Sequence, residues 1–316
     1  MILIIGHHAD PHVAAVVSCL EESETRYSLL DAFEFSSGGI DLSLSPGLNL
    51  ALGSSRHSLS DFTSIWWRQK PKFQIPTETA GALYDYNFLH REWNHVLDCI
   101  AFETSHLFSI NDRAKASAAE NKAVQLKVAL SCGLSVPETL VTNDPLAAIN
   151  FLSSGHGRYV YKPLTPYMAP TGTLTYTNMV DANMLREQGD RIKTAPGIFQ
   201  VFVEKAYELR LTVVGESIFA ARINSHYSEK SSVDWRSEIF ADIYSHYTPN
   251  DGFREVLLNF HRRLGLFYAA YDFAVNETGE IFLLDVNPAG QWMWLEHKLG
   301  LPISAHIAAA LADRAR

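Results

Sequence analysis

Short apolar runs and amphipathic stretches alternate along roughly the first hundred residues and predict alternating strands and helices. Residues 2–5 are all apolar and predict a buried strand, which is followed by a helix at about 11–22 and a second strand at 27–30. Another strand is predicted at 64–68, and apolar side chains recur at helical spacing over 81–104. A strand, a helix and a strand in this order are typical of an α/β domain.

The rest of the chain mixes helices with strands that pair locally. A helix is predicted from Arg113 to Cys132, because Asn111 and Asp112 can cap its start and Gly133 follows its end. Further helices are predicted at about 144–154, 251–264 and 302–313, and further strands at 158–162, 198–203, 209–214 and 217–223. The chain is therefore predicted to be of the α/β (α+β) class.

Size, charge and cysteine usage narrow the classes of function. With 316 residues, the chain is long enough for two or three subdomains with cores of their own. A formal net charge of −9 argues against nucleic acid as the main partner, because binding a phosphate backbone needs a basic surface. Cys19, Cys99 and Cys132 lack metal-ligand spacing and are expected to be reduced thiols. The start is unlike a signal peptide and no apolar run could span a bilayer, so a cytoplasmic protein without a membrane partner is predicted.

A hairpin is predicted near the end of the chain. Two strand-like runs, Tyr271–Val275 and Glu280–Val286, flank Thr278-Gly279, a pair suited to a tight turn. If those two residues form the whole loop, Asp272 lies directly opposite Asp285.

The predicted hairpin gathers side chains that suit a divalent cation. Side chains alternate along a strand, so Asn287 shares a face with Asp285, and Asp272 faces them from the neighbouring strand. Two adjacent carboxylates repel each other unless a cation lies between them, and an all-oxygen set suits Mg²⁺. The alternative is a hairpin whose acidic side chains point to solvent.

Two lysines are candidates for binding phosphate. Lys162 lies in an apolar strand, where an ammonium group is costly to bury without an anion, although it could also extend from an edge strand to water. Lys122 lies on the predicted 113–132 helix, and taken alone it is an ordinary solvent-facing lysine.

The strands after residue 198 offer partners for a nucleotide. An apolar strand with free backbone groups can bind a flat adenine ring, as can the amide of Gln200. Glu208 and Arg210 share a strand face and could bind ribose hydroxyls and a phosphate or substrate carboxylate, or could simply form a surface ion pair. Arg222 on the next strand is a further candidate phosphate ligand.

In this order, these residues resemble the ATP-grasp ligases, most specifically over 111–297. The resemblance implies two phosphate-binding lysines, a hinge strand at the adenine, an acid-x-arginine pair, a further arginine and a metal set. The matching positions are Lys122, Lys162, Gln200, Val201, Phe202, Val203, Glu208, Arg210, Arg222, Asp272, Asp285 and Asn287. Most ATP-grasp enzymes have Glu where this chain has Asp285, so the resemblance allows one of two Mg²⁺ ions to be held less firmly.

Other segments are similar to the graspetide (microviridin-type) peptide macrocyclases within that superfamily. They are IWWRQKP at 65–71, VDWR at 233–236, NPAGQWMWLE at 287–296 and GLP at 300–302. The glycine-rich phosphate loop of ATP-grasp enzymes is represented only by 164–176, which contains one glycine. The implied domains are an N-terminal α/β pre-ATP-grasp domain at 1–110, a small lobe at 111–193 and a large lobe at 194–316.

The resemblance implies an ATP- and Mg²⁺-dependent carboxylate ligase that works through an acyl phosphate. Arg222, Arg210 and Lys162 are the implied catalytic residues. The implied substrate is a ribosomal precursor peptide that receives ester or amide crosslinks. The alternative is a ligase that joins free carboxylates to amines or hydroxyls, or that tags the end of a protein or peptide. A homodimer stays open.

Overall fold

The computed structural model describes most of the chain, namely residues 1–31, 40–43, 49–52, 55–68, 86–154, 157–165, 177–224 and 243–314. These residues form four sheets. The three larger ones follow one another along the chain, and the smallest is a three-stranded antiparallel sheet of β3 (Ile40–Ser43), β4 (Asn49–Leu52) and β5 (Ser55–Ser58).

The first large sheet is parallel and opens the fold. Its order is β2-β1-β6-β7, and its strands are β1 (Ile2–Gly6), β2 (Tyr27–Asp31), β6 (Ser64–Trp67) and β7 (Phe108–Ile110). Every residue of β1 is buried, as its continuous apolar run predicts. Helix α1 (Pro11–Glu22) connects β1 to β2, and α2 (Tyr86–Glu103) precedes β7. Asp10 caps α1 by accepting a hydrogen bond from the backbone N–H of His12.

Two short helices and a second sheet follow. The helices are α3 (Arg113–Ala119) and α4 (Lys122–Ser131). The second sheet is antiparallel with order β10-β9-β11-β8, formed by β8 (Thr139–Thr142), β9 (Tyr159–Lys162), β10 (Asn178–Val180) and β11 (Gly197–Val201). Its small core is completed by residues from α5 (Pro145–Ser154), α6 (Ala182–Glu187) and α7 (Gly189–Thr194).

The third large sheet is antiparallel and has the order β14-β13-β12-β15-β16. Its strands are β12 (Lys205–Val214), β13 (Ser217–Ile223), β14 (Tyr244–His246), β15 (Tyr268–Asn276) and β16 (Ile281–Asn287). Helix α8 (Asp251–Leu264) packs on one face, and α9 (Met293–Leu299) and α10 (Ile303–Ala312) end the fold. One core cluster joins residues of α1 and β1 to residues of β13 and α10, so the first and third sheets share a core.

Most of the predicted elements are confirmed, and the exceptions have local causes. The predicted 113–132 helix is two helices, because Asn121 caps a new helix by accepting hydrogen bonds from the N–H groups of Ala123 and Val124. The first of these helices is capped by Asp112 rather than Asn111. The predicted hairpin of strands at 209–214 and 217–223 is confirmed.

The contacts between segments do not follow the predicted lobe boundaries at residues 110 and 193. Strand β11 lies beyond residue 193 but hydrogen-bonds to β8 and β9 in the second sheet. Ala119 and Ala129, from α3 and α4, belong to the core of the third sheet. Among the described residues, no helix is both long and apolar enough to span a membrane.

Candidate functional site

The hairpin of β15 and β16 places two carboxylates opposite each other. Asp272 pairs with Asp285, as predicted, but by a different route. The loop has three residues rather than two, because Asn276 N–H bonds Glu280 O and Gly279 adopts the left-handed region with φ +83°. With that loop alone, the register would place Asp272 opposite Leu284 instead of Asp285. A bulge at Leu284 restores it, since Phe273 pairs with Leu283 and Asp272 with Asp285.

Each of these carboxylates meets a cation of the chain. Arg210, opposite Asp272 in β12, donates from Nη1 to Asp272 Oδ1 at 2.9 Å, and both side chains are buried. Lys122 forms an ion pair with Asp285, and both side chains are partly exposed. Asn287 is exposed, and its Oδ1 accepts the N–H of Ala289 at 3.0 Å. The two acids and the amide oxygen form the donor set that suits Mg²⁺, and the cations beside the acids offset their mutual repulsion.

Lys122 reaches Asp285 because α4 is fixed against β16. Lys122 is the first residue of α4. The buried amide of Gln125, one turn further on, donates to Val286 O at 2.8 Å and accepts the Val286 N–H at 3.2 Å. Gln125 thus satisfies both backbone groups of Val286, the residue after Asp285. The sequence showed no signal for this contact, since a glutamine inside a helix usually faces solvent.

A second group of predicted residues lies on the small sheet. Lys162 donates to Gln200 Oε1 at 2.7 Å, and Gln200 Nε2 donates to Thr139 Oγ1 at 2.8 Å. The three residues come from the adjacent strands β9, β11 and β8. The structure therefore joins Lys162, a predicted phosphate ligand, to Gln200, a predicted adenine ligand.

The backbone donors predicted for adenine are engaged within the protein. Val201 N–H bonds Glu138 O at 2.9 Å, and Phe202 N–H bonds Arg158 O at 2.8 Å. These two N–H groups are therefore not the free donors that the sequence predicted. Val203 follows them in the connection to β12.

Glu208 shares a sheet face with Arg210, as predicted, and forms a buried ion pair. Lys205 donates to Glu208 Oε1 at 2.7 Å, and both side chains are more than nine-tenths buried. Lys205 was missed in the sequence, where it reads as one more polar residue before an apolar strand.

Arg222 lies apart from the acidic pair. It is opposite Leu209 in β12, whereas Arg210 is opposite Ala221, so the two arginines point to opposite faces of the sheet. The guanidinium of Arg222 is exposed and lies 3.9 Å from the ring centroid of Tyr207. The structure thus separates Arg222 from Arg210, Asp272 and Asp285.

The fold matches solved structures over its whole length. A RiPP-associated ATP-grasp ligase of Chryseobacterium gregarium, in complex with ADP and a leader and core peptide, has 25% sequence identity and a TM-score of 0.87, covering 100% of this chain and 97% of that one. The macrocyclase MdnC of Microcystis aeruginosa MRC, bound with precursor peptide MdnA, has 26% identity and a TM-score of 0.85, covering 99% and 100%. The macrocyclase MdnB of the same organism has 26% identity and a TM-score of 0.80, covering 98% of each chain. No family model matches the sequence, and no curated protein matches it significantly.

The chain has the fold of the ATP-grasp ligases. The predicted resemblance to RiPP-associated ATP-grasp enzymes is confirmed by these similarities, as is the mixed α/β fold. Use of ATP accords with the ADP that the C. gregarium ligase structure contains. The functional roles of the individual site residues stay predictions, which the geometry described above supports.

Three of the segments that carry the sequence resemblance fall wholly or partly outside the described residues. They are most of the phosphate loop at 164–176, the VDWR segment at 233–236, and the end of IWWRQKP at 65–71. The described part of the last segment includes Arg68, which is 3% exposed.

A further cluster of possible metal ligands lies at the carboxyl ends of β1 and β2. Asp31 lies within hydrogen-bonding distance of the Nδ1 atoms of both His7 and His8, at 2.9 and 2.5 Å from its Oδ2. The backbone N–H of His8 also donates to Asp31. These bonds orient both imidazole rings, and no ion is needed to account for them.

Proposed function

We propose that this enzyme crosslinks a ribosomal precursor peptide by forming ester or amide bonds with ATP and Mg²⁺. The observation that carries the proposal is the pairing of Asp272 with Asp285, each beside a cation, in a fold that matches peptide-modifying ATP-grasp ligases along its whole length. The C. gregarium ligase binds a leader and core peptide, and MdnC binds a precursor peptide. A peptide substrate for this chain is inferred from those relatives.

The reaction needs positioning and charge neutralisation more than a side-chain nucleophile. The γ-phosphoryl group of ATP is transferred to a substrate carboxylate, giving an acyl phosphate and ADP. A hydroxyl or amine then attacks the acyl carbon, and phosphate leaves as the nucleophile loses its proton. Each bond therefore removes one water from the peptide and converts one ATP to ADP and phosphate.

We assign the metal-binding role to Asp272, Asp285 and Asn287. Bound Mg²⁺ would neutralise charge on the phosphates and on the phosphoryl group in transfer. Arg210, which is held by Asp272, supplies a fixed positive charge to the same face of the sheet. No step is assigned to Arg222, which lies on the opposite face.

Lys122 and Lys162 are proposed to bind the phosphates of ATP. They approach from different parts of the molecule, Lys122 from the start of α4 and Lys162 from the end of β9. Lys122 pairs with Asp285, and Lys162 donates to the amide oxygen of Gln200. A phosphate oxygen is a stronger partner for an ammonium than an amide oxygen is, so we expect Lys162 to exchange Gln200 for ATP.

The small lobe is the proposed site of leader recognition. A cavity of about 310 Å³ lies beside β9 and β10 and is lined by Leu152, Gly157, Arg158, Tyr159, Met179, Val180, Asp181, Ala182 and Met184. Strand β10 is at the edge of its sheet, where an extended peptide can add a strand. The apolar lining and the net charge of −9 favour apolar contacts and basic leader residues over an anionic leader.

Mass spectrometry of candidate precursor peptides tests the proposed function. With ATP and Mg²⁺, loss of one water per bond is expected, and the Asp285→Asn variant is the matched control. A mass gain by one amino acid would instead support the tagging ligase. ADP release with free amino acids and no peptide would support the small-molecule ligase, and both of these results contradict our proposal.

We also propose a cellular compartment and a test of the oligomeric state. We place the enzyme in the cytoplasm, where ATP is supplied, and the three cysteines are all free thiols, consistent with a reducing compartment. The homodimer left open by the sequence is tested by the mass of the protein in solution.

A further inference from the structure

Four consecutive backbone carbonyls after Asn287 are each bound by a different side chain. The segment 288–291 has no regular secondary structure and connects β16 towards α9. Its donors come from the ends of β6 and β7 in the first sheet and from β15 and β12 in the third; we call the four side chains the carbonyl clamp. Asn111 Nδ2 donates to Pro288 O at 2.9 Å, Arg68 Nη1 to Ala289 O at 2.7 Å, Tyr268 Oη to Gly290 O at 2.7 Å, and Arg210 Nη2 to Gln291 O at 3.1 Å.

Arg68 is the charged member that the N-terminal domain contributes. Its Nε donates to Asp10 Oδ2 at 3.0 Å, and both side chains are at least nine-tenths buried. Asp10 also accepts from His12 Nδ1 at 2.7 Å, and His12 Nε2 accepts the N–H of Trp292 at 3.1 Å. The guanidinium lies 4.9 Å from the ring centroid of Trp292. Arg68 therefore contacts the clamped segment directly and again through Asp10 and His12.

Burial and the contacts within this network shift the pKa values of Asp10 and His12. Burial opposes the ionisation of Asp10, but the hydrogen bond from His12 and the charge of Arg68 outweigh it and lower the pKa of Asp10 to about 2. Burial lowers the pKa of His12, which favours the neutral ring whose Nε2 accepts the Trp292 N–H. The network thus holds one carboxylate and one guanidinium as a buried pair, which is costly to disrupt from either side.

The clamp acts on the metal-binding residues at both ends of the segment. Ala289 is held on two sides, because its carbonyl accepts from Arg68 while its N–H donates to Asn287 Oδ1. Gln291 holds Arg210, which in turn bonds Asp272. The space is tight, since a Cβ atom added at Gly290 would lie 3.0 Å from Arg210 Nη2.

We propose that Arg68 is a positioning residue for the metal site and acts on Asn287 through Ala289. None of the three proposed ligands belongs to the N-terminal domain, yet Arg68 of that domain sets the orientation of the Asn287 amide from outside the third sheet. The inference rests on the proposed metal-binding role of Asp272, Asp285 and Asn287. Side chains that orient ligands in this way typically change metal affinity by about 10–100-fold when they are replaced.

Arg68→Lys tests the inference because it keeps the charge beside Asp10. A lysine has one nitrogen and cannot reproduce the planar fork that binds Asp10 and Ala289 O together. Mn²⁺ serves as the probe, and its binding to the full chain is followed by the EPR signal of free Mn²⁺, with and without ADP. We expect Arg68→Lys to weaken Mn²⁺ binding by about 10-fold or more, while ADP affinity measured without metal stays unchanged.

Two controls separate the possible outcomes. Arg262→Lys changes an exposed arginine that pairs with Glu216 on the surface, and it should bind Mn²⁺ like the wild type. If the wild type binds Mn²⁺ no better than Asp285→Asn, the proposed metal site itself is wrong. If the wild type binds but Arg68→Lys binds equally well, the site stands and the positioning role of Arg68 is wrong.

A second clamp variant keeps the test decisive if Arg68→Lys does not fold. Tyr268→Phe removes only the hydroxyl that binds Gly290 O and leaves the buried ring in place. It should also weaken Mn²⁺ binding, because the same segment loses one of its four donors. If Arg68→Lys does not fold, unchanged binding in Tyr268→Phe overturns the inference.

Discussion

At the scale of single residues, Asp285 is predicted to be specialised for metal binding rather than for stability. Asp285 is partly exposed, and its ion pair with Lys122 contributes under about 1 kcal/mol to folding. Asp272 is buried with Arg210, so removing either of those two side chains would leave the other one charged and buried without its ion-pair partner. Asp285 is therefore the better position for a functional test.

Asp285→Asn should abolish most Mg²⁺-dependent phosphate release with little loss of stability. The loss should exceed the roughly 10–100-fold that is typical of side chains outside the ligand shell. Asp285→Glu should be tolerated, because glutamate is the residue that the ATP-grasp resemblance implies at this position. Phosphate release and urea unfolding measure the two effects. A glutamate variant as inactive as the asparagine variant would show that the inferred site geometry is wrong.

Lys162→Ala should weaken ATP binding while leaving the fold intact. Loss of a charge-assisted phosphate contact costs about 1.5–3 kcal/mol, which calorimetric titration with ATP can measure. Lys193→Ala is the matched control, since Lys193 is an exposed lysine of the same lobe that pairs with Asp190. Equal ATP affinity in folded Lys162→Ala and in the control would refute the assignment.

His261 should make stability depend on pH. Burial lowers its pKa to about 4, and its Nδ1 lies 2.7 Å from the Tyr271 hydroxyl. The unfolded chain binds the proton near its ordinary pKa of 6.5, so stability is lost as the pH falls from about 6.5 towards 4. Each pKa unit corresponds to about 1.4 kcal/mol.

Urea unfolding at about pH 7 and about pH 4.5 checks this dependence. His261→Gln should be less stable at the higher pH, because it disturbs a buried site, but should lose less stability on acidification. Parallel losses in the variant and the wild type would mean that other groups cause the pH dependence.

At the scale of elements, the hairpin was predicted correctly for an incorrect reason. The opposition of Asp272 and Asp285 followed from an assumed two-residue loop. The chain instead has a longer loop and a bulge at Leu284, and these two shifts cancel. Alternation along a strand can be read from sequence, but a bulge depends on contacts across the sheet and cannot.

Deleting Leu284 should preserve the acidic pair. Leu283 would then be followed directly by Asp285, and the regular ladder would keep Asp272 opposite it. Deleting Val286 should instead turn Asn287 to the other face and remove it from the site. Mn²⁺ binding should therefore survive the first deletion and fail in the second. Equal damage from both deletions would contradict this interpretation of the bulge.

The helix that carries Lys122 shows the same limit on prediction. The apolar spacing favoured one helix over 113–132, and the capping role of Asn121 was missed. Asparagine is favoured at N-caps and turns, but it also occurs inside helices, so its presence alone does not fix where a helix breaks. The start of α4 at Lys122 is what aims that side chain at Asp285, so a local feature missed in the sequence decides a functional contact.

At the scale of the whole molecule, the fold could be predicted through ordered motifs but the clamp could not. Arg68 and Ala289 are far apart in sequence, and nothing in either segment specifies the other. Asn111 was predicted to be a helix cap, whereas it is buried and bonds Pro288 and Tyr268. Contacts of this kind depend on how sheets pack, which periodicity does not determine.

The shared core of the first and third sheets restricts how this enzyme can be recombined. Val13 and Val16 of α1 belong to one cluster with Ile307 and Leu311 of α10, so the chain returns at its end to complete the domain with which it began. A segment comprising residues 1–110 is therefore not a transferable module. A chimera that joins residues 1–110 to the rest of a different ATP-grasp protein must also include α10 and the 288–291 loop of this chain. The second sheet has a core of its own, so we expect the leader site proposed there to be exchanged more readily.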